Sequence, residues 1–235
     1  MRLVGRIKSL LNDVARSRGY HIERIVDYGE HELDILRLAV ESLRPEDPGF
    51  YFVQVGAHDG RTGDPLFRFV ERYHWRGLLL EPQPDVFKAL AENYSGETQL
   101  VLENAALARE DGTLPLYTVD GATYLASFDR GRLRDRVRDP ARITEIPVDT
   151  VCFATLVERH AINRVDILQI DAEGFDFEII RMALHSPLPK PRMIRYEHLH
   201  LSPADRGACA DLLASHGYRM FRDGTDTMAY LQASQ

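Results

Sequence analysis

The chain has 235 residues, enough to fill one good core, and a formal charge of −7 with both signs mixed along its length. That balance excludes an extended nucleic-acid surface, which needs clustered Lys and Arg to displace counterions. Two cysteines far apart, Cys152 and Cys209, make neither a disulfide framework nor a Cys-rich metal site and read as buried free thiols.

The start, MRLVGRIKSLLNDVARSRGY, is basic, but charges break its apolar run before a signal core or membrane span could form. A cytoplasmic chain with no membrane partner is expected. Leu3, Val4, Ile7, Leu10, Leu11 and Val14 recur at helical spacing, and Leu33, Leu36, Val40 and Leu43 do so again before Pro45 and Pro48 stop the helix. Residues 1–48 therefore read as a helical extension. Its apolar stripes serve either packing on the parent domain or a second subunit, which leaves a homo-oligomer open.

From Phe50 short apolar runs alternate with helical segments, the pattern of a parallel sheet covered on both faces, so 49–235 reads as one α/β domain. FYFVQVGAHDG, RGLLLEPQP, QLVLENAAL, VDILQIDAEG and MIRYEHLHL each read as a strand ending in polar residues at its C-terminal edge, where open α/β sheets bind ligands. SPADRGACADLLASHG reads as a helix, and YRMFRDGTDTMAYLQ as two strands joined at Asp223-Gly224. The stretch near 120–146, rich in Arg and Asp and without periodicity, is expected to be a long inserted loop or lid.

Gly56-Ala57-His58-Asp59-Gly60 puts two glycines at a strand-to-helix turn, where the backbone can approach a ligand. A dinucleotide site wants a third glycine, so a nicotinamide oxidoreductase is disfavoured. The acidic turn suits a ligand carrying an ammonium group, with His58 and Asp59 beside it. About twenty residues on, Glu81 ends the second strand in position to accept ribose hydroxyl protons. Asn104 and Ala105 close the third run on the adenine side.

These residues together carry a resemblance. VGAHDG, WRGLLLEP, ENAAL, ILQIDAEGFDFEII and RYEH, in that order over most of the chain, resemble the FkbM family of methyltransferases. The resemblance implies a Rossmann-like class I methyltransferase fold, a mostly parallel seven-stranded sheet with helices on both faces and an antiparallel last strand. It implies S-adenosylmethionine as cofactor and methyl transfer to oxygen. Gln54, Gln169 and Ala172 depart from the family's frequent Asp, Lys and Val.

A sugar or alcohol hydroxyl is a poor acid, so its methylation calls for a positioned base, a metal ion, or both. Strand tips supply Asp171, Glu197 and His198 as expected ligands for Mg²⁺, or for Mn²⁺ if His198 takes part. Some sugar-modifying relatives look metal-dependent at the corresponding strand ends, although His198 stands where an acid is expected. Asp171 also counts as a cofactor contact and a catalytic group. His200, facing the same way as His198 if the strand continues, is a candidate general base. Glu173 is a second base or the cap of a helix beginning at Phe175. In the lid, Tyr124, Ser127 and Arg130 are candidates to close over the acceptor, while the Arg and Asp of 130–142 are expected mostly to compensate one another. The reading is an O-methyltransferase of a sugar or glycosylated small molecule, assisted by a divalent metal. Its alternatives are a metal-independent O-methyltransferase of a polyketide or other non-sugar hydroxyl, and a non-catalytic nucleotide-binding scaffold.

Overall fold

The structure is a computed structural model that describes residues 34–232, so the amphipathic helix read from Leu3 to Val14 lies outside the described residues. Residues 38–235 form one compact unit. Residues 38–48 fall in this unit with the α/β body. The repeat around Leu36 and Val40 forms α1 (Ile35–Glu41).

The run at Phe50 forms β1 (Tyr51–Val55), followed by α2 (Phe67–Tyr73) and by β2 (Arg76–Leu80), which lies parallel to β1 with Val55 opposite Leu80. α3 (Pro84–Asn93) starts at a proline in its first turn, where the missing N–H costs nothing, and leads to β3 (Leu100–Glu103) beside β2. In QLVLENAAL the strand ends at its expected polar tip. It breaks at Asn104, whose side-chain amide donates to the carbonyls of Glu81 and Pro82, and Ala106–Leu107 forms β4 in another sheet.

That second sheet, of four strands, was not foreseen. It orders β4, β7 (Ile143–Val151), β5 (Gly112–Val119) and β6 (Ala126–Ser127), with α4 (Arg130–Arg134) and a short 3₁₀ turn (Pro140–Arg142) on the way from β6 to β7. The stretch 120–146 is thus built rather than a plain loop. Two of its aspartates explain why: Asp129 accepts from Gly131 N and Asp139 from Ala141 N, each capping the turn that follows.

α5 (Phe153–His160), β8 (Ile167–Ile170), α6 (Asp176–Leu184), β9 (Met193–Glu197), α7 (Pro203–Ser215), β10 (Tyr218–Asp223) and β11 (Asp226–Leu231) complete the chain. The main sheet runs β10-β11-β9-β8-β1-β2-β3, and β11 is antiparallel to both neighbours, as expected of a last strand inserted against the rest. Val53, Val55, Leu78, Leu80, Leu168 and Ile170 are all buried in its centre, which accounts for runs without alternation. Cys209 lies in this core, whereas Cys152 is only partly buried; both are free thiols.

Candidate active site

The ends of β1, β2 and β8 meet at the C-terminal rim. Gly56 has φ +78°, a conformation that favours glycine, and its N–H and that of Ala57 donate to Leu80 O, turning the chain away from the sheet. The turn then delivers His58 N to Glu81 Oε2 at 2.9 Å, while Gln83 N reaches Glu81 Oε1 at the same distance. Glu81 is buried, and burial raises its pKa above the usual carboxylate value against the pull of those two amides.

An open cavity of about 270 Å³ sits on this rim. Of the residues expected at the cofactor, Gly56, His58, Glu81, Ala105 and Asp171 line it; from the expected lid and base groups, Tyr124, Ser127 and Glu173 do. Three others have different work. Asp59 turns inward to accept from the amides of Arg61 and Thr62 and the Thr62 hydroxyl; burial acts to raise its pKa, but these bonds outweigh it and hold it at about 2. Gly60 is a packing glycine: its φ is +69°, a Cβ there would fall 2.4 Å from the Tyr94 ring, and its carbonyl accepts the Tyr94 hydroxyl. Asn104 ties the end of β3 to the end of β2, as described above.

The chemistry side is an acidic cluster. Burial, then the charges of Glu173 and Asp226, lift Asp171 to about 6; burial, then Asp171 and Glu173, lift Glu197 to about 8. Behind them Asp176, absent from the sequence expectations, is fully buried, accepts from Gly174 N and Glu197 N, and is raised to about 7 by burial and by Asp171. Among the described residues no side chain caps α6. Glu173 caps nothing: it sits at φ +51° and ion-pairs with Arg136 of the lid.

β9 ends at Glu197, so the strand does not continue to His200. The turn that follows swings His200 back, with Nε2 3.4 Å from Glu197 and 3.7 Å from Glu173. Burial and the nearby Arg136 lower its pKa. His198 points elsewhere, its Nδ1 3.1 Å from the Thr227 hydroxyl on β11. Among the described residues the group able to hold a metal is Glu173, Glu197 and His200, with ligand atoms within 4.8 Å of one another. Only Glu197 is common to this set and the expected one.

The lid is pinned at both margins. Thr123 Oγ1 lies 3.0 Å from His58 Nε2 and Thr123 O accepts from Gln83 Nε2 at 2.8 Å; opposite, Arg132 Nη1 donates to Gly174 O and Arg136 pairs with Glu173. Arg132 answers the neighbouring Asp129, with Nε 3.8 Å from Oδ2, as well as the site, whereas Arg136 pairs with Glu173. Arg130 is not at the cavity; its guanidinium lies 6.0 Å from the Tyr117 ring centroid.

A mostly parallel seven-stranded sheet with one antiparallel insertion and acidic strand tips around a rim cavity defines the class I methyltransferase fold. Residues 54–220 match the family described as Methyltransferase FkbM domain, and the chain belongs to that family, whose cofactor class is S-adenosylmethionine. Among solved structures, an FkbM methyltransferase from Methylobacillus flagellatus KT is similar at 13% identity and TM-score 0.48, covering 79% of this chain; this chain spans 44% of that one. A fibrillarin from Aeropyrum pernix with bound S-adenosyl-L-methionine is similar at 13% identity and TM-score 0.44, covering 83% of this chain and 74% of its own. The ribosomal protein L11 methylase of Lactobacillus delbrueckii subsp. bulgaricus is similar at 12% identity and TM-score 0.44, covering 88% of this chain and 81% of its own. No curated protein matches the sequence. No helix among the described residues is long and apolar enough to cross a membrane.

Proposed function

We propose that the chain is an S-adenosylmethionine-dependent O-methyltransferase acting on a hydroxyl of a sugar or glycosylated metabolite. One observation carries the reading: a single cavity is lined by Gly56, Glu81, Asp171 and Glu173 together with Tyr124 and Ser127. The residues suit the cofactor. Gly56 presents bare backbone, each Glu81 oxygen keeps a lone pair free for a ribose hydroxyl, and Asp171 offers a carboxylate to the ammonium. When bound, the cofactor supplies a methyl group already activated on a sulfonium.

The protein's own tasks are then to orient the acceptor hydroxyl and to take its proton. His200 Nε2 is the proton acceptor, and the Glu173 carboxylate 3.7 Å away favours the imidazolium that results. Tyr124 and the lid exclude water from the reacting atoms. A second reading rests on the same cluster: two carboxylates and an imidazole converge as a ligand set that suits Mn²⁺ better than Mg²⁺, and such an ion would lower the hydroxyl's pKa directly. It would have to displace Arg136 from Glu173.

The test is methyl transfer from labelled S-adenosylmethionine to a panel of sugars, glycosides and polyketide alcohols, before and after exhaustive EDTA treatment. Transfer to sugar hydroxyls is expected. Transfer only to non-sugar alcohols sinks the acceptor class, full activity after EDTA sinks the metal reading, and absence of cofactor binding by calorimetry sinks the proposal as a whole.

A further inference from the structure

A second hollow, of about 370 Å³, shares Ser127, Phe128 and Phe175 with the cofactor cavity. Phe128 and Phe175 meet edge to face, with ring centroids 5.8 Å apart, so this ring pair is the wall common to both. The hollow is also lined by Gly174 and Leu201, the chain neighbours of Glu173 and His200. His200 lines neither hollow, but Glu173, which its Nε2 approaches to 3.7 Å, lines the cofactor cavity on the other side of the ring pair.

Its lining decides the chemical class of occupant. Phe175 and Phe177 supply ring surface, and Asp129, Arg132, Glu178 and Asp205 supply polar groups. Glu178 is already neutralised, 2.8 Å from Arg109 and in contact with Arg181. What remains is two carboxylates against one guanidinium, and Arg132 is committed through Nη1 to Gly174 O. No surplus positive charge is present to hold a phosphate or carboxylate. Asp129 Oδ1 caps α4 and its Oδ2 faces Arg132 Nε at 3.8 Å, which cancels the guanidinium charge, while Asp205 accepts the Ser202 hydroxyl through Oδ2 and keeps its other oxygen for an incoming hydroxyl. Acceptor oxygens beside ring faces, without net cationic charge, fit a neutral polyhydroxylated ring.

Resting on the acceptor class proposed above, we propose that this hollow is a subsite for the second, non-reacting ring of an oligosaccharide or glycosylated acceptor. The ring to be methylated lies at Glu173 and His200, and its neighbour is held between Phe177 and the lid. The lid segment from Ser127 to Arg132 then serves two cavities at once, closing the first and forming one side of the second.

Steady-state kinetics with a set of methyl hexosides and the matching methyl disaccharides tests this. The disaccharides are expected to be preferred by about tenfold in kcat/KM, through KM, the worth of one good set of contacts. Phe177→Leu keeps an apolar side chain but removes the ring face, and Asp129→Asn keeps the helix cap but removes the charge. Each is expected to cut the preference to about threefold or less. Equal kcat/KM for single rings and pairs in the unaltered protein, or a preference retained in both variants, overturns the subsite. No methylation of any sugar by protein that still binds the cofactor overturns the acceptor class first and the subsite with it.

Discussion

The carbonyl oxygen of Asp171 stands 1.9 Å from the point where a Cβ on residue 56 would fall, so the ends of β1 and β8 meet through a position that glycine alone fills. The approach brings Asp171 to the turn that carries His58, and Asp171 N in turn donates to Val55 O. Gly56→Ala must open this junction and also hold an alanine at φ +78°, a strain of about 1–3 kcal/mol before any overlap is counted. A lower melting temperature and loss of calorimetrically detectable S-adenosylmethionine binding are expected. Wild-type affinity in the alanine variant would show that the junction does not shape the cofactor site.

Glu81 gives a pH prediction whose two halves have opposite sign. Its pKa in the folded protein is raised by burial, so between the unfolded value near 4.5 and the folded one the native state holds the extra proton. Stability of the free protein therefore falls as pH rises through that window. Asp171 and Asp176, raised to about 6 and about 7, act in the same direction. Cofactor affinity should run the other way, since the ribose hydroxyls need an ionised acceptor, and should weaken on acidification while still above pH 4.5. Calorimetry from pH 8 to pH 5 checks this. Glu81→Gln should bind weakly throughout, with a flatter pH profile; an unchanged profile in that variant would remove Glu81 from the ribose.

Asp166 and Asp171 bracket β8, and their fates differ. Asp166 is fully buried at the N-terminal end, where it accepts from Tyr51 N and pairs with Arg164 at 2.7 Å and Arg192 at 2.8 Å. Asp166→Ala leaves the Tyr51 amide without its partner and removes one partner from each guanidinium, Arg164 keeping Asp47 and Arg192 keeping Leu43 O. Both arginines reach water, so the cost falls to the lower part of the buried-pair range, about 2–4 kcal/mol, or roughly 5–15 °C in melting temperature. Cofactor affinity should be unaffected, because this end lies across the sheet from the cavity. Weakened binding with unchanged stability would contradict that division of labour.

The same contrast explains what was legible in advance. The strands at 51–55, 76–80, 167–170 and 193–197 could be read because each is an apolar run ended by a polar residue, and Glu81 followed from its place at a tip. The second sheet was hidden by Pro115 and Pro147, which argue against strands wherever they occur. They stand opposite one another in the β5–β7 ladder, so a single rung bears both missing donors. His200 was read as strand alternation but reaches Glu197 by a turn, and the partners of Arg132 and Arg136 lie about forty residues downstream. Contacts made by turns and lids depend on where a turn closes, and periodicity carries no information about that.

Glu173 joins strain to function most directly. A non-glycine residue at φ +51° costs about 1–2 kcal/mol, and its charge also works against its neighbours, since Glu173 raises the pKa of Asp171 and of Glu197. Against this stands its ion pair with Arg136, a partly exposed contact of small net worth. Glu173→Gly should therefore melt no lower than the parent protein, and higher at pH 8, where the carboxylates are most ionised. If the carboxylate steadies His200 during proton transfer, kcat should nevertheless fall by about 10²–10⁴, with cofactor affinity little changed. A variant that loses stability but keeps its turnover would make Glu173 a structural residue and move the proton-accepting role away from this turn.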